Sequence, residues 1–217
     1  KSTLAAAWLS QIDHPVGWVA LDERDNDLVL FFSYLFSALN LADDAIGQSS
    51  IDLLHAPNPP HAELLITHLL NDLTQSDQLY TLALDDYHAI DNQEIHAAIG
   101  FLLEHLPPNL RLVVLSREEP ELPLARLRAR NQLVELSVTD LRFLPHEARA
   151  FMNEVMSITM SDDQILELAE RTEGWITGLQ LIALSLRDSQ YHPNHIGKIS
   201  GKDRHVSDYL VDEVLSV

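Results

Sequence analysis

Two groups of residues in this chain have types and spacing suited to phosphate chemistry. Asp85 and Asp86 follow an apolar run at residues 79–84, and the chain opens with Lys1, Ser2 and Thr3. A Lys-Ser-Thr sequence is typical of the end of a phosphate-binding loop, where the ammonium contacts phosphate oxygens and the next hydroxyl binds Mg²⁺. A carboxylate at the end of a buried strand holds the same ion. Together the groups predict two halves of one nucleotide site.

A phosphate loop also needs glycines before its lysine, because they let backbone N–H groups approach the phosphates. Nothing precedes Lys1 in this sequence. We therefore expect the natural protein to carry an apolar strand and a glycine-rich loop ahead of Lys1.

Composition restricts the kind of protein. The chain has 217 residues, 46% of them hydrophobic, which is enough for one large domain or a domain with a smaller appendage. It has no cysteine, which excludes disulfides and thiolate metal sites and agrees with a cytoplasmic protein. The formal charge of -19 repels phosphate backbones, so we expect this segment to contact no nucleic acid. The longest apolar stretch, residues 28–42, is too short and too interrupted to span a membrane.

Apolar strand patterns alternate with helical patterns along the first part of the chain. Buried strands are predicted at residues 16–21, 79–84 and 110–115, with a short strand at 133–136. Helices are predicted at residues 2–11, 28–41, 61–73 and 92–105. Residues 43–60 are predicted to be partly loop, and residues 120–130 to be a loop with a short helix. This order predicts an α/β fold of the P-loop NTPase type, a parallel sheet with helices on both faces.

The alternation stops near Asp140, and a domain boundary is predicted there. Helical patterns at residues 145–155, 162–172 and 174–186 predict a small all-helical domain after it. The predicted domains are a nucleotide-binding domain at 1–139, a helical domain at 140–188, a polar linker at 189–203 and the start of a further helical or winged-helix domain at 204–217.

Several blocks of sequence, in order along the whole chain, resemble the nucleotide-binding segment of MalT-like transcriptional activators. The blocks are Lys1-Ser2-Thr3-Leu4, Trp18-Val19-Ala20-Leu21-Asp22-Glu23 with Asp25-Asn26-Asp27, Leu84-Asp85-Asp86-Tyr87-His88, Leu112-Val113-Val114-Leu115-Ser116-Arg117, Leu141-Arg142-Phe143, Gly174-Trp175 with Gly178-Leu179-Gln180-Leu181, and Asp208-Tyr209-Leu210-Val211-Asp212-Glu213-Val214-Leu215. These activators are LuxR-type regulators among the signal-transduction ATPases with numerous domains (STAND). The Asp-Asp-Tyr-His and Gly-Trp…Gly-Leu-Gln blocks are specific to the family as a set.

The resemblance implies an ATP-dependent switch that acts in the cytoplasm. In such regulators ATP favours an active, self-associating form, ADP favours a resting form, and slow hydrolysis resets the switch. The cofactors implied are ATP or ADP and Mg²⁺. The family's inducer-sensing domain and its helix-turn-helix DNA-binding domain would lie further along the chain, outside this segment.

The resemblance also implies a role for each residue of the motifs. Lys1 is predicted to contact the β- and γ-phosphates, Ser2 to bind Mg²⁺, and Thr3 to contact the α-phosphate. Asp85 is predicted to hold Mg²⁺, and Asp86 to polarise the attacking water. Taken alone, these residues are also explained by an exposed terminal lysine, a helix N-cap pair and carboxylates that face solvent or cap a turn.

Further residues are predicted near the same ligand. Arg117 follows the strand at 110–115 and is predicted to sense the γ-phosphate, the alternative being an ion pair with one of the two glutamates after it. Gly174 and Trp175 lie where relatives carry a Gly-x-Pro element against the adenine, although Ile176 replaces the proline and a core position for Trp175 is the alternative. His88 is interpreted as a supporting residue beside the acid pair.

Two other functions agree with the same residues. A P-loop fold without catalysis would make the segment an interaction scaffold of a multidomain signalling protein. A P-loop kinase would carry the same Lys-Ser-Thr sequence, but no acceptor-substrate lid is evident in the sequence.

Overall fold

The computed structural model describes residues 1–187. The predicted linker at 189–203 and the predicted domain start at 204–217 lie outside these described residues. The chain divides into two compact units, Lys1–Leu133 and a second that begins at Val134. This division lies slightly before the predicted boundary at 139/140, and the predicted domain ranges stay a prediction.

The first unit combines strands and helices. Its strands are β1 (Val16–Ala20), β2 (Tyr80–Asp85) and β3 (Leu110–Val114). Its helices are α1 (Ser2–Leu9), α2 (Leu28–Ala42), α3 (Gln48–Leu54), α4 (Ala62–Thr74), α5 (Gln93–Glu104) and α6 (Leu124–Ala129). Short 3₁₀ turns at Glu23–Asn26 and Tyr87–Ala89 follow β1 and β2.

The three strands form a parallel sheet in the order β1-β2-β3. Val19 pairs with Leu84, and Leu84 pairs with Val114, so these side chains lie on the same face of the sheet. That face belongs to one apolar core with the buried sides of α2, α4 and α5. β2 is buried along its whole length because it has a neighbour on each side. The predicted α/β fold of the P-loop type is therefore confirmed.

Helix α2 packs unusually closely on β1. A Cβ atom at Gly17 would lie 3.0 Å from the backbone carbonyl carbon and oxygen of Ala38, in the middle of α2. The buried side of α2 carries Phe31, Phe32 and Phe36, all fully enclosed in the core. The absence of a side chain at Gly17 thus lets the helix backbone lie directly on the strand.

The second unit, as far as it is described, is helical. Its elements are α7 (Val138–Leu141), α8 (Pro145–Ala150), a π-helical turn (Phe151–Val155), α9 (Asp162–Thr172) and α10 (Ile176–Arg187). A separate apolar core includes Met152, Ile165 and Leu179. As predicted, Pro145 occupies the first turn of α8 and Ser161 caps α9 by accepting a hydrogen bond from the Gln164 amide. The predicted helical segment after the α/β unit is confirmed.

One local prediction was wrong. Residues 133–136 form no strand, and Val134 and Leu136 are 91% and 68% exposed. A four-residue apolar run forms a strand only beside a partner strand that takes up its backbone hydrogen bonds. Within residues 43–60, which read partly as loop, the structure has helix α3, which starts after Gly47 in a left-handed conformation (φ 81°).

Among residues 1–187, no helix has the length and apolar content needed to cross a lipid bilayer.

Candidate functional site

The candidate site lies at the carboxyl end of the sheet, where the ends of all three strands meet. Asp85 is the last residue of β2, and its carbonyl accepts a hydrogen bond from the Leu21 amide at 3.0 Å. On the other side the Leu115 carbonyl accepts a hydrogen bond from the Tyr87 amide at 3.0 Å. The acid pair therefore lies on the central strand, at the edge where parallel α/β sheets bind ligands.

The first residues of the chain converge on this acid pair. The Lys1 ammonium donates a hydrogen bond to Asp86 Oδ1 at 2.5 Å and lies 4.0 Å from Asp85 Oδ1. The Ser2 hydroxyl donates to Asp85 Oδ1 at 3.0 Å. Helix α1 begins at Ser2, so its positive end lies beside the two carboxylates. The two halves predicted from the sequence are thus adjacent, and their roles toward a nucleotide stay predictions.

Asp86 has an uncommon backbone conformation. Its φ of 52° and ψ of 41° place it in the left-handed region, which aspartate tolerates better than most residues. Its amide donates to the side chain of Asp85 at 2.9 Å, and the Ala89 amide donates to its carbonyl at 3.0 Å. This turn directs the Asp86 carboxylate toward Lys1 while the Asp85 carboxylate stays buried beside Ser2.

The charge of Asp86 is stabilised by nearby cationic groups. Partial burial raises the pKa of its carboxyl, but the hydrogen bond and charge of Lys1 lower it more, with smaller contributions from His88 and Arg117. The resulting pKa lies below the ordinary value, so Asp86 is ionised at neutral pH.

His88 and Arg117 lie near the same carboxylate. The buried Nδ1 atom of His88 has no hydrogen-bond partner among the described residues and lies 3.8 Å from Asp86 Oδ1. Arg117 is exposed and, within residues 1–187, forms no ion pair with the glutamates that follow it, so that alternative is wrong. His88 therefore has an unpartnered ring nitrogen near Asp86, and Arg117 adds positive charge near the same carboxylate.

The remaining predicted residues are Thr3 in the first unit and Gly174 and Trp175 in the second. Thr3 is exposed on the first turn of α1. Gly174, in the second unit, has a φ of 73°, and a Cβ atom there would lie 2.6 Å from the Phe143 carbonyl oxygen. Its own carbonyl accepts a hydrogen bond from the Phe143 amide at 2.8 Å, which joins two of the sequence blocks. Trp175 is 46% exposed, so its interpretation as a core aromatic is wrong.

Asn26 connects the turn after β1 to the loop after β2. Its Nδ2 donates to the carbonyls of Glu23 and Ala89 at 3.0 and 2.8 Å. Its Oδ1 accepts from the amides of Asp91 and Asn92 at 2.7 and 3.0 Å. Asn26 thus fixes the middle and the far end of the loop that starts at the acid pair. This contact was not predictable from the sequence, since nothing in the linear pattern pairs the two segments.

The residues present suit a magnesium–nucleotide ligand. Among the described residues no group of three or more histidine, aspartate or glutamate side chains could hold a metal ion alone. Mg²⁺ commonly binds through one or two protein oxygens together with substrate phosphates, and Ser2 and Asp85 supply such oxygens. The Lys1 ammonium and the unpartnered His88 Nδ1 atom add donors suited to phosphate oxygens.

Comparison with known proteins gives relatives described as transcriptional regulators. No model of a known protein family matches the chain. The proteins described as HTH-type transcriptional regulator MalT from Yersinia pestis (strain Pestoides F) and Yersinia pseudotuberculosis serotype O:1b (strain IP 31758) are each 40% identical to it over 221 residues. The protein of the same description from Yersinia enterocolitica serotype O:8 is 39% identical over 221 residues. Each match covers 99% of this chain and 24% of the relative.

The chain thus spans about a quarter of the length of these curated relatives. The match runs through both units, including the acid pair on β2 and the Gly174–Trp175 block. The resemblance inferred from the sequence is confirmed: over nearly its whole length, this chain is similar to a segment of the proteins described as HTH-type transcriptional regulator MalT.

Proposed function

We propose that this chain is the ATP-binding and slowly hydrolysing switch module of a MalT-like transcriptional activator in the cytoplasm. The observation that carries the proposal is the convergence of Lys1 and Ser2 on Asp85 and Asp86 at the carboxyl end of the central strand. The similarity to regulators named MalT supports a role in transcription. In this role, ATP and ADP control self-association of the whole protein and hence activation of transcription.

Each residue of the site then has one task. The Ser2 hydroxyl and the Asp85 carboxylate would hold Mg²⁺, which would supply positive charge to the phosphate oxygens. The Lys1 ammonium would contact the terminal phosphates as a point charge. The Asp86 carboxylate, released from Lys1, accepts a hydrogen bond from the attacking water and orients it. Arg117 would contact the terminal phosphate. Release of that phosphate after hydrolysis would remove the contact. Gly174 and Trp175 are proposed to contribute to adenine binding.

ATP affinity of the whole protein that carries this chain tests the binding role. Lys1→Ala removes a charge-assisted contact to phosphate and should weaken ATP binding by roughly 10- to 100-fold, measured by isothermal titration calorimetry. Arg126→Ala is the matched control, since Arg126 is a cation on α6 paired with Glu104. Equal ATP affinity in the Lys1→Ala variant and the wild type would refute the assignment of Lys1.

Phosphate release tests the hydrolytic role. Asp85→Asn and Asp86→Asn should each reduce the rate of Mg²⁺-dependent phosphate release from ATP by roughly 100-fold or more. Removal of one preorganised catalytic group typically has an effect of this size. Analytical ultracentrifugation of the wild type should show larger assemblies with ATP than with ADP. If the wild type releases phosphate no faster than ATP alone, and if its assembly does not depend on the nucleotide, the chain would instead be an interaction scaffold.

A further inference from the structure

A buried tyrosine–histidine pair lies directly behind the acid pair. Tyr87, the residue after Asp86, is 1% exposed, and its hydroxyl lies 3.0 Å from Nδ1 of His96, which is 7% exposed. The two rings are 5.5 Å apart between centroids and inclined by 57°. Neither side chain has a part in the proposed chemistry, and the pair lies in the core rather than at the ligand.

The hydrogen bond closes the loop that contains Asp86. His96 lies in the first turn of α5, where its amide donates to the carbonyl of Asn92. Tyr87 lies at the other end of the loop, next to the left-handed residue Asp86. The contact therefore ties the start of the loop to the helix that follows it, and Asn26 holds the middle. Movement of the Tyr87 side chain would move the backbone at Asp86.

The chemistry of the pair favours a hydrogen bond in which the Tyr87 hydroxyl donates to Nδ1 of His96. Burial raises the pKa of the Tyr87 hydroxyl far above its ordinary value, so the phenol stays protonated and can donate. A neutral imidazole accepts at Nδ1 and carries its own proton at Nε2. An asparagine at the same position keeps an acceptor oxygen close to the place of Nδ1, whereas a leucine keeps only the volume.

We propose that the Tyr87–His96 hydrogen bond is a positioning contact that holds Asp86 in its left-handed conformation, and so controls the rate of ATP hydrolysis without contributing to nucleotide affinity. Asp86 is a non-glycine residue in a sparsely populated backbone region, and such conformations persist only where surrounding contacts fix them. The kinetic half of this inference rests on the proposed function, whereas the structural half rests on geometry alone.

The structure offers a matched control for the tyrosine. Tyr80 is also fully buried, lies at the opposite end of β2, and donates its hydroxyl to Asp43 at 2.6 Å. Tyr87→Phe and Tyr80→Phe each remove one hydroxyl from a buried ring; the first leaves one polar partner, His96, and the second leaves two, Asp43 and Ser76. Both should lower thermal stability, but only Tyr87→Phe should reduce kcat, by roughly tenfold, with ATP affinity unchanged.

The histidine is tested in the same whole protein. His96→Leu should reduce kcat as Tyr87→Phe does, and His96→Asn should restore most of the wild-type rate because it keeps an acceptor. The double variant Tyr87→Phe/His96→Leu should lose no more activity than either single variant, since both remove the same contact. Equal losses of kcat in the Tyr80→Phe and Tyr87→Phe variants, or no rescue by asparagine, would overturn the proposal.

Amide hydrogen exchange separates this inference from the proposed function. Residues 86–90 should exchange at least several-fold faster in Tyr87→Phe and His96→Leu than in Tyr80→Phe and His96→Asn, because the closed loop opens more often. This readout needs no ATP. A wild type that hydrolyses no ATP would contradict the proposed function, whereas equal exchange of residues 86–90 in all four variants would contradict the positioning role.

Discussion

At the scale of single residues, Asp86 combines three features of the site: its position, its backbone conformation and its ion pair. It is the residue after the buried strand, it has a left-handed backbone, and its carboxylate is bound by Lys1. The ammonium of Lys1 thus balances the negative charge that Asp86 places at the end of the sheet.

The lowered pKa of Asp86 predicts a pH dependence of stability. A carboxyl whose pKa is depressed below 3.8 by folding stabilises the folded state above that pH, and the contribution is lost as the pH falls through the folded pKa. Asp86→Asn, which keeps a residue tolerant of the left-handed region, should therefore lower Tm at pH 7 by a few degrees at most, since the side chain is partly exposed. The Tm difference should vanish as the pH falls well below 3.8.

Differential scanning calorimetry from neutral to acid pH checks this expectation, with Asp13→Asn as the control because Asp13 is an exposed aspartate outside the site. A Tm difference between wild type and Asp86→Asn that stays constant across the pH range would show that charge is not the cause.

The sequence predicted the convergence at the site but not the contacts that support it. Lys1, Ser2 and the acid pair were predictable because strand ends and helix starts in an α/β fold occupy one edge of the sheet. The pairing of Tyr87 with His96 depends on side-chain rotamers across a loop, which no periodicity encodes. The only signal was the position of Tyr87 directly after Asp86.

At the scale of elements, the long apolar patterns were predictable and the short ones were not. Strands β1, β2 and β3 and helices α2, α4, α5 and α9 lie within two residues of their predicted bounds. Such elements bury a continuous face, which leaves a clear pattern. Residues 133–136 have the same composition as a strand, but pattern alone cannot supply the neighbouring strand that a ladder of hydrogen bonds requires. Helix α3 is short and lies within a segment that reads partly as loop, so its bounds were not predictable from the sequence.

The close contact of α2 with β1 predicts different effects of two glycine substitutions in the first unit. Gly17→Ala should destabilise the unit by about 1–3 kcal/mol, because its Cβ would press on the backbone of Ala38. Gly100→Ala, inside α5, should stabilise it by roughly 0.5–1 kcal/mol, because its Cβ meets only the Pro123 ring at 3.7 Å. Urea unfolding followed by circular dichroism measures both, and the same sign of effect for the two variants would contradict the packing described for α2.

At the scale of the whole molecule, the dominant property is negative charge. The chain carries 33 acidic and 14 basic residues, for a formal charge of -19. Under the proposed function a triphosphate would approach this negative surface, and the cationic groups around Asp86 together with a divalent cation would attract it. The same negative charge should repel larger polyanions such as DNA.

We expect this chain to bind no double-stranded DNA, because a strongly acidic surface releases few counterions from the phosphate backbone. Fluorescence anisotropy with a labelled duplex at about 0.1 M salt, with a basic DNA-binding protein as positive control, measures this directly. Binding that weakens steeply as salt is added would contradict the expectation, because that slope counts contacts between cationic side chains and phosphates.

The Asn26 amide has a consequence for how the first unit folds. An asparagine side chain offers two donor hydrogens and two acceptor lone pairs, and here all four are used by backbone groups of two separate segments. If the turn after the first strand were assembled alone, three of these four groups would be left unmatched in a partly buried place. The turn that leaves the first strand and the loop that leaves the second should therefore become ordered in one concerted event, so that neither crossover has an independent folded state.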